Sequence, residues 1–110
     1  MNISEQYRDL TERITENLPL KAYPIRELVQ IFRNNGHPIT LKTELTIISV
    51  YNSGDISGII CTVEIIDGYK MACALTHLIF LSKSVLYTEI TFYQKKREKR
   101  IKQLRLSSMN

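Results

Sequence analysis

The stretch Ile59-Ile60-Cys61-Thr62-Val63-Glu64-Ile65-Ile66-Asp67-Gly68-Tyr69-Lys70-Met71-Ala72-Cys73-Ala74-Leu75 decides the fold class. Its two arms are rich in apolar and β-branched residues. Asp67-Gly68 between them is a strong signal for a two-residue type I′ turn, which needs left-handed backbone at both central positions. The reading is an antiparallel hairpin, with one strand over about 56–66 and the next over about 69–80. A two-residue turn sets the register: Ile66 faces Tyr69, Glu64 faces Met71 and Thr62 faces Cys73. One face then carries Ile59, Cys61, Val63 and Ile65 beside Ala72, Ala74 and Thr76, where small alanines let a helix approach. The other carries Ile60 and Ile66 beside Tyr69, Met71, Cys73 and Leu75. Both faces are largely apolar and both need a cover, unlike a half-solvated antiparallel sheet. Cys61 and Cys73 fall on opposite faces in this register, which argues against a disulfide.

Toward the N-terminus, a hydrophobic period of two begins at Leu41, with Leu41, Leu45 and Ile47 on one face. It predicts a strand over about 41–51, followed by a turn at Asn52-Ser53-Gly54-Asp55. Before Leu41 the period is 3.6. Pro24 opens a helix whose buried face is Ile25, Leu28, Val29 and Phe32. It stops at Asn34-Asn35-Gly36, and Pro38 prevents resumption. An earlier helix starts at a capping box of Asn2 and Glu5. It buries Ile3, Tyr7, Leu10 and Ile14, and ends near Asn17 because Pro19 restrains Leu18.

Toward the C-terminus, Leu86, Ile90, Tyr93, Arg97, Ile101 and Leu104 form a helical stripe. They predict one long helix over about 84–105, capped by Ser82 or Ser84. Val85, Tyr87, Thr91 and Tyr93 also alternate as a strand would, over a shorter span. The expected fold is α+β in the order α-α-β-β-β-α. A three-stranded antiparallel meander packs against the long C-terminal helix and an N-terminal helical pair. The 110 residues form a single domain with a frayed tail at 106–110, long enough to bury one core.

Composition narrows the function classes. No apolar run approaches the ~20 residues of a membrane span, and charges run through the first twenty residues, so a cytoplasmic protein is expected. Cys61 and Cys73 lie apart without a CxxC motif, and the two histidines are distant. That set does not make a zinc site, and no cofactor is expected. Buried thiols acting as small hydrophobes fit better.

Charge is segregated. Gln94–Arg105 holds seven basic residues and one acid, whereas residues 1–93 sum to −2 within a chain of net charge +4. Lys95, Lys96, Lys99, Arg100, Lys102 and Arg105 are the candidate contacts to a nucleic acid or an acidic partner, because each cation that neutralises a phosphate releases counterions. The plain reading of the same block is a solvated face that keeps the protein soluble. Glu5, Asp9, Glu12 and Glu16 form an acidic face on the first helix. If both helices bury their apolar stripes in one core, these faces cannot meet within a chain but can meet across a symmetric dimer. Ile60, Met71 and Leu75, on the second apolar sheet face, complete that interface.

Three functions follow, in order of preference. The first is a small intracellular non-enzymatic binding or assembly module, homodimeric. The second is a nucleic-acid-associated protein contacting phosphates through the basic helix. The third is an enzyme centred on His77, expected opposite Gly58 and near Asp55 and Ser53. No GxSxG elbow supports that third reading. A membrane partner and a small-molecule substrate are not indicated.

Overall fold

The computed structural model describes residues 3–108. The Asn2 capping residue lies outside them. In chain order the elements are α1 (Ile3–Glu16), β1 (Leu20–Pro24), α2 (Arg26–Asn34), β2 (Leu45–Asn52), a one-turn α3 (Gly54–Ser57), β3 (Ile59–Glu64), β4 (Lys70–Ala74), a 3-10 turn (Leu75–His77), β5 (Leu78–Ile79) and α4 (Tyr87–Ser108). The class is α+β as expected, but the sheet has five antiparallel strands in the order β4-β3-β2-β1-β5.

That order forces a curl. β4 and β5 occupy opposite ends of the sheet, yet only the 3-10 turn joins them. Four chain steps from Ala74 to Leu78 span at most about 14 Å. Five flat strands would separate the two edges by about 19 Å. The sheet therefore bends into a half-barrel. Tyr7, Leu10 and Ile14 of α1, Leu28 and Phe32 of α2, and Ile90 and Tyr93 of α4 join its inward residues in one core.

The helices bury most of the faces their spacing predicts, but Ile3 of α1 is exposed, and α2 starts at Arg26 because Pro24 ends β1. Leu28, Val29 and Phe32 are buried on α2, and Gly36 takes a φ of 83° just past its end. Here glycine avoids the Cβ penalty of left-handed backbone. The long helix starts at Tyr87 rather than Ser84, because Leu86 itself sits at φ 65° and cannot extend a helix backward.

The sheet departs from expectation in three ways. First, the hairpin loop has three residues, not two. The Ile65 N–H donates to Tyr69 O and the Gly68 N–H to Ile65 O, with Gly68 at φ 91°. A three-residue loop ending in a left-handed glycine is the next most common hairpin, and it shifts the pairing by one. Glu64 now faces Lys70, Val63 faces Met71, Thr62 faces Ala72 and Cys61 faces Cys73. A one-residue slip exchanges the faces of a strand. Ile59, Cys61, Val63 and Cys73 are buried inward, while Ala72 is exposed outward with Ile60, Thr62 and Glu64 beside it. The alanines do not receive a helix, and the outward face is mixed rather than apolar.

Second, the expected strand over 69–80 is broken. Leu75 is fully buried in the 3-10 turn instead of lying on an outer face, and Leu78–Ile79 crosses to pair with β1. Third, β1 occupies what reads as a linker. Leu20 and Ala22 point inward while Lys21 points out, between β2 and β5. In β2 a bulge at Ile48 breaks the alternation, so Ile47 and Val50 both turn inward against Val63 and Cys61. Leu41 is exposed before that strand begins.

Candidate nucleic-acid interface

α4 carries two sets of cations with different fates. Ile90, Tyr93 and Arg97 recur at three and four residues, so they share the buried side of the helix. Arg97 is only 4 % exposed. Its guanidinium donates to the backbone oxygens of Asp55 and Ile56, each at 2.5 Å, and to the Tyr7 hydroxyl at 3.2 Å. Those carbonyls belong to α3, a single turn, near its C-terminal end. A cation there complements both the carbonyls and the helix dipole.

Next to this clamp, Arg100 binds the Asp55 carboxylate with both ends of its fork. The Arg100 contact holds the Asp55 carboxyl below its ordinary value of 3.8, and Arg97 adds to the effect. The Tyr93 hydroxyl accepts from the Ile59 N–H at 2.9 Å, and burial raises its pKa to about 12. Tyr7 and Tyr93 meet edge to face at 5.2 Å. These groups fasten α4 to α1, α3 and the start of β3.

The opposite side of α4 is different. Lys95, Lys99 and Lys102, spaced four and three residues apart, face away from the core, and Arg105 continues the row. All four are exposed, and their side chains make no hydrogen bond or ion pair among the described residues. Of the six basic candidates, Arg100 thus serves the fold. Lys96 lies 4.9 Å over the ring of Phe92. Phe92 is 61 % exposed and sits on the basic side of the helix. It precedes Lys95, Lys96 and Lys99 by three, four and seven residues, so its place among them was readable from spacing, although charge alone did not flag it.

α1 and α4 are tied together within one chain, but not through the acidic face and the basic block. The link has reversed polarity: Arg13 of α1 reaches Glu89 of α4 at 3.1 Å. Above it a groove of about 270 Å³ separates the helices, with Asp9 and Leu10 on one wall and Phe92 and Lys96 on the other. Glu12 and Glu16 are exposed beyond the groove, and Glu5 is exposed on the same helix. The remaining interface candidates scatter. Ile60 is half-buried on the outward face, Met71 is half-buried against the core, and Leu75 is inside it.

Comparison with protein-family models, curated proteins and solved structures returned no match to this chain.

The residues expected around His77 are not assembled. His77 ends the 3-10 turn, and its carbonyl accepts from the Ile25 N–H at 3.0 Å. Gly58 instead backs onto Tyr93 and Arg97, and Asp55 is taken by the arginines. His37 stacks on Tyr69 at 3.6 Å and lies 3.5 Å from Asp67, so it latches the loop after α2 to the hairpin tip. Cys61 and Cys73 are free and buried. No group of three or more metal-ligating side chains occurs among the described residues, and none of their helices is long and apolar enough to cross a membrane.

Proposed function

We propose that this protein is a small non-enzymatic binding module that presents the outward side of α4 to the phosphate backbone of a nucleic acid. The observation that supports this reading is the division of labour along α4. Arg97 and Arg100 are consumed by the fold, whereas Lys95, Lys99, Lys102 and Arg105 are exposed without an acidic partner among the described residues. A solubilising face is ordinarily interspersed with both signs. Here Glu98 alone interrupts seven cations. No groove-reading loop or motif accompanies the row, so the contact is to backbone rather than to base edges.

The test is binding of a short fluorescent duplex and its single strand at about 50 and 200 mM salt. Four phosphate contacts give a log–log salt slope near −3.6 on a duplex, or roughly a 100-fold loss across that range. Changing Lys95, Lys99, Lys102 and Arg105 together to glutamine removes the binding and leaves the melting temperature within a few degrees. Absence of binding at both salts sinks the proposal.

A second reading, self-association, is favoured by β4. The Ile65–Tyr69 bond puts the hydrogen-bonding groups of Met71 and Cys73 toward β3 and those of Lys70, Ala72 and Ala74 outward. An unpaired strand edge is a template for another strand. In a two-fold antiparallel pairing centred on Ala72, Lys70 meets Ala74 of the second copy, so like charges do not face each other. This dimer uses a strand edge rather than a second apolar face. Sedimentation at micromolar concentration decides it. A dimer that Ala72→Pro dissociates supports it, and a monomer removes it.

A further inference from the structure

We propose that the groove between α1 and α4 takes an unpaired nucleobase stacked on Phe92, which makes the nucleic acid a single strand rather than a duplex. This rests on the phosphate-binding reading of α4 and names its ligand class.

Phe92 is the reason. It is 61 % exposed, it borders the groove, and it stands among Lys95, Lys96 and Lys99 on the face that carries the unpaired cations. Proteins that bind single strands combine these two elements: cations that follow the backbone and an aromatic ring on which a base lies. A duplex offers no free base face to such a ring, because its bases are stacked on one another. Phe92 and Lys96 border a concavity, whereas Lys95, Lys99 and Lys102 lie on the convex outer side of the helix. At about 270 Å³ the groove is just below the size of pockets that hold drug-sized ligands, which suits one ring system. Leu10 and Tyr7 supply its apolar side, and Asp9 stands at its rim.

Lys96 completes the arrangement. In the free protein its ammonium covers the Phe92 ring at 4.9 Å. An exposed cation–π contact of this kind is weaker than a base–aromatic stack. A base therefore displaces the ammonium, which is then released toward the adjoining phosphate. The groove is occupied by the protein's own charge until a strand arrives.

The experiment compares wild type with Phe92→Leu, which keeps an apolar side chain and a good helix former. The probes are a single-stranded oligonucleotide, the same length of abasic backbone, and the duplex, all at about 50 mM salt. The expected result is tighter binding of the base-bearing single strand and its loss in Phe92→Leu by about 5- to 150-fold, the worth of one base stack. The abasic strand and the duplex lose nothing, and the thermal melt is unchanged. Equal binding of all three probes with no effect of Phe92→Leu overturns this inference while leaving the phosphate reading intact. Failure of every probe overturns both. Competition by an oligoglutamate at equal charge concentration assigns the face to an acidic protein and also overturns it.

Discussion

Arg97 fills the space that a side chain on residue 58 would need. A Cβ built on Gly58 would lie 2.8 Å from Arg97 Nε and 2.6 Å from the Tyr93 hydroxyl. Gly58 also holds φ 70° and ψ −150°, a backbone region open essentially to glycine alone. This one residue ends α3, opens β3 and lets α4 close over both. The clamp on α3 and the missing side chain are one device.

Gly58→Ala is accordingly expected to destabilise the protein by about 2–4 kcal/mol, from backbone strain together with the displacement of Arg97 and Tyr93. A urea titration reads this as a lower midpoint at an unchanged slope. A midpoint within error of wild type would mean that α3 and α4 are not held as described. Arg97→Lys is expected to recover little of an Arg97→Ala loss, because a point charge cannot serve two carbonyls as a planar fork does.

Leu75 and Ile60 separate core from surface. Leu75→Glu places an unpaired carboxylate in a fully buried site and costs about 4 kcal/mol or more, a large part of the stability of a small domain. Ile60→Glu falls on the outward face and leaves the melting temperature nearly unchanged. Thermal denaturation of the two variants side by side checks the register of β3 and β4. Were both equally destabilised, the outward assignment of Ile60 would fail.

Asp55 gives a pH dependence of known sign. Its pKa is lowered in the folded protein, chiefly by the Arg100 contact, from an ordinary value of 3.8. The unfolded chain thus takes up the proton first. The stabilisation is fully present above 3.8 and is lost as pH falls through the lower folded value. Urea midpoints measured from pH 6 to pH 2 should show the advantage of wild type over Asp55→Asn shrinking below about pH 4. A constant advantage would show that the ion pair contributes nothing.

The two thiols should be inert in the native state. Burial pushes the Cys73 thiol up to about 12, and burial together with its neighbour raises Cys61 further. The thiolate is the reactive form, so a shift from 9.0 to about 12 lowers its population roughly 1,000-fold. Alkylation at pH 8 is expected to proceed only as fast as the protein opens, and rapidly in denaturant. Fast native labelling at either cysteine would contradict the burial of the β3–β4 pair.

The helices were legible because each carries its own signal. Leu28, Val29 and Phe32 repeat at helical spacing and end at a glycine that accepts left-handed backbone. Ile90, Tyr93 and Arg97 do the same over the start of α4. The candidate cations were legible as a block, but not their division. Arg97 is set apart by its place in the apolar stripe, but Arg100 looks like Lys99 until α3 is brought beside it, 45 residues back in the chain. Phe92 stands among the lysines by spacing alone, but an aromatic in a helix reads first as core.

What the sequence by itself determined is the α+β class, the faces buried by α2 and by the first turns of α4, and the concentration of positive charge on one helix. These follow from periods and charges within about twenty residues of chain. Tertiary structure decided the register, the number of strands and the curl. Asp67-Gly68 suits a two-residue or a three-residue loop, because Gly68 is left-handed in either, and a period of two converts that single residue into an exchange of faces. β1 and β5 are too short and too mixed to declare themselves locally. They exist because β2 stands ready to pair with β1, and β1 with β5, once the core has closed.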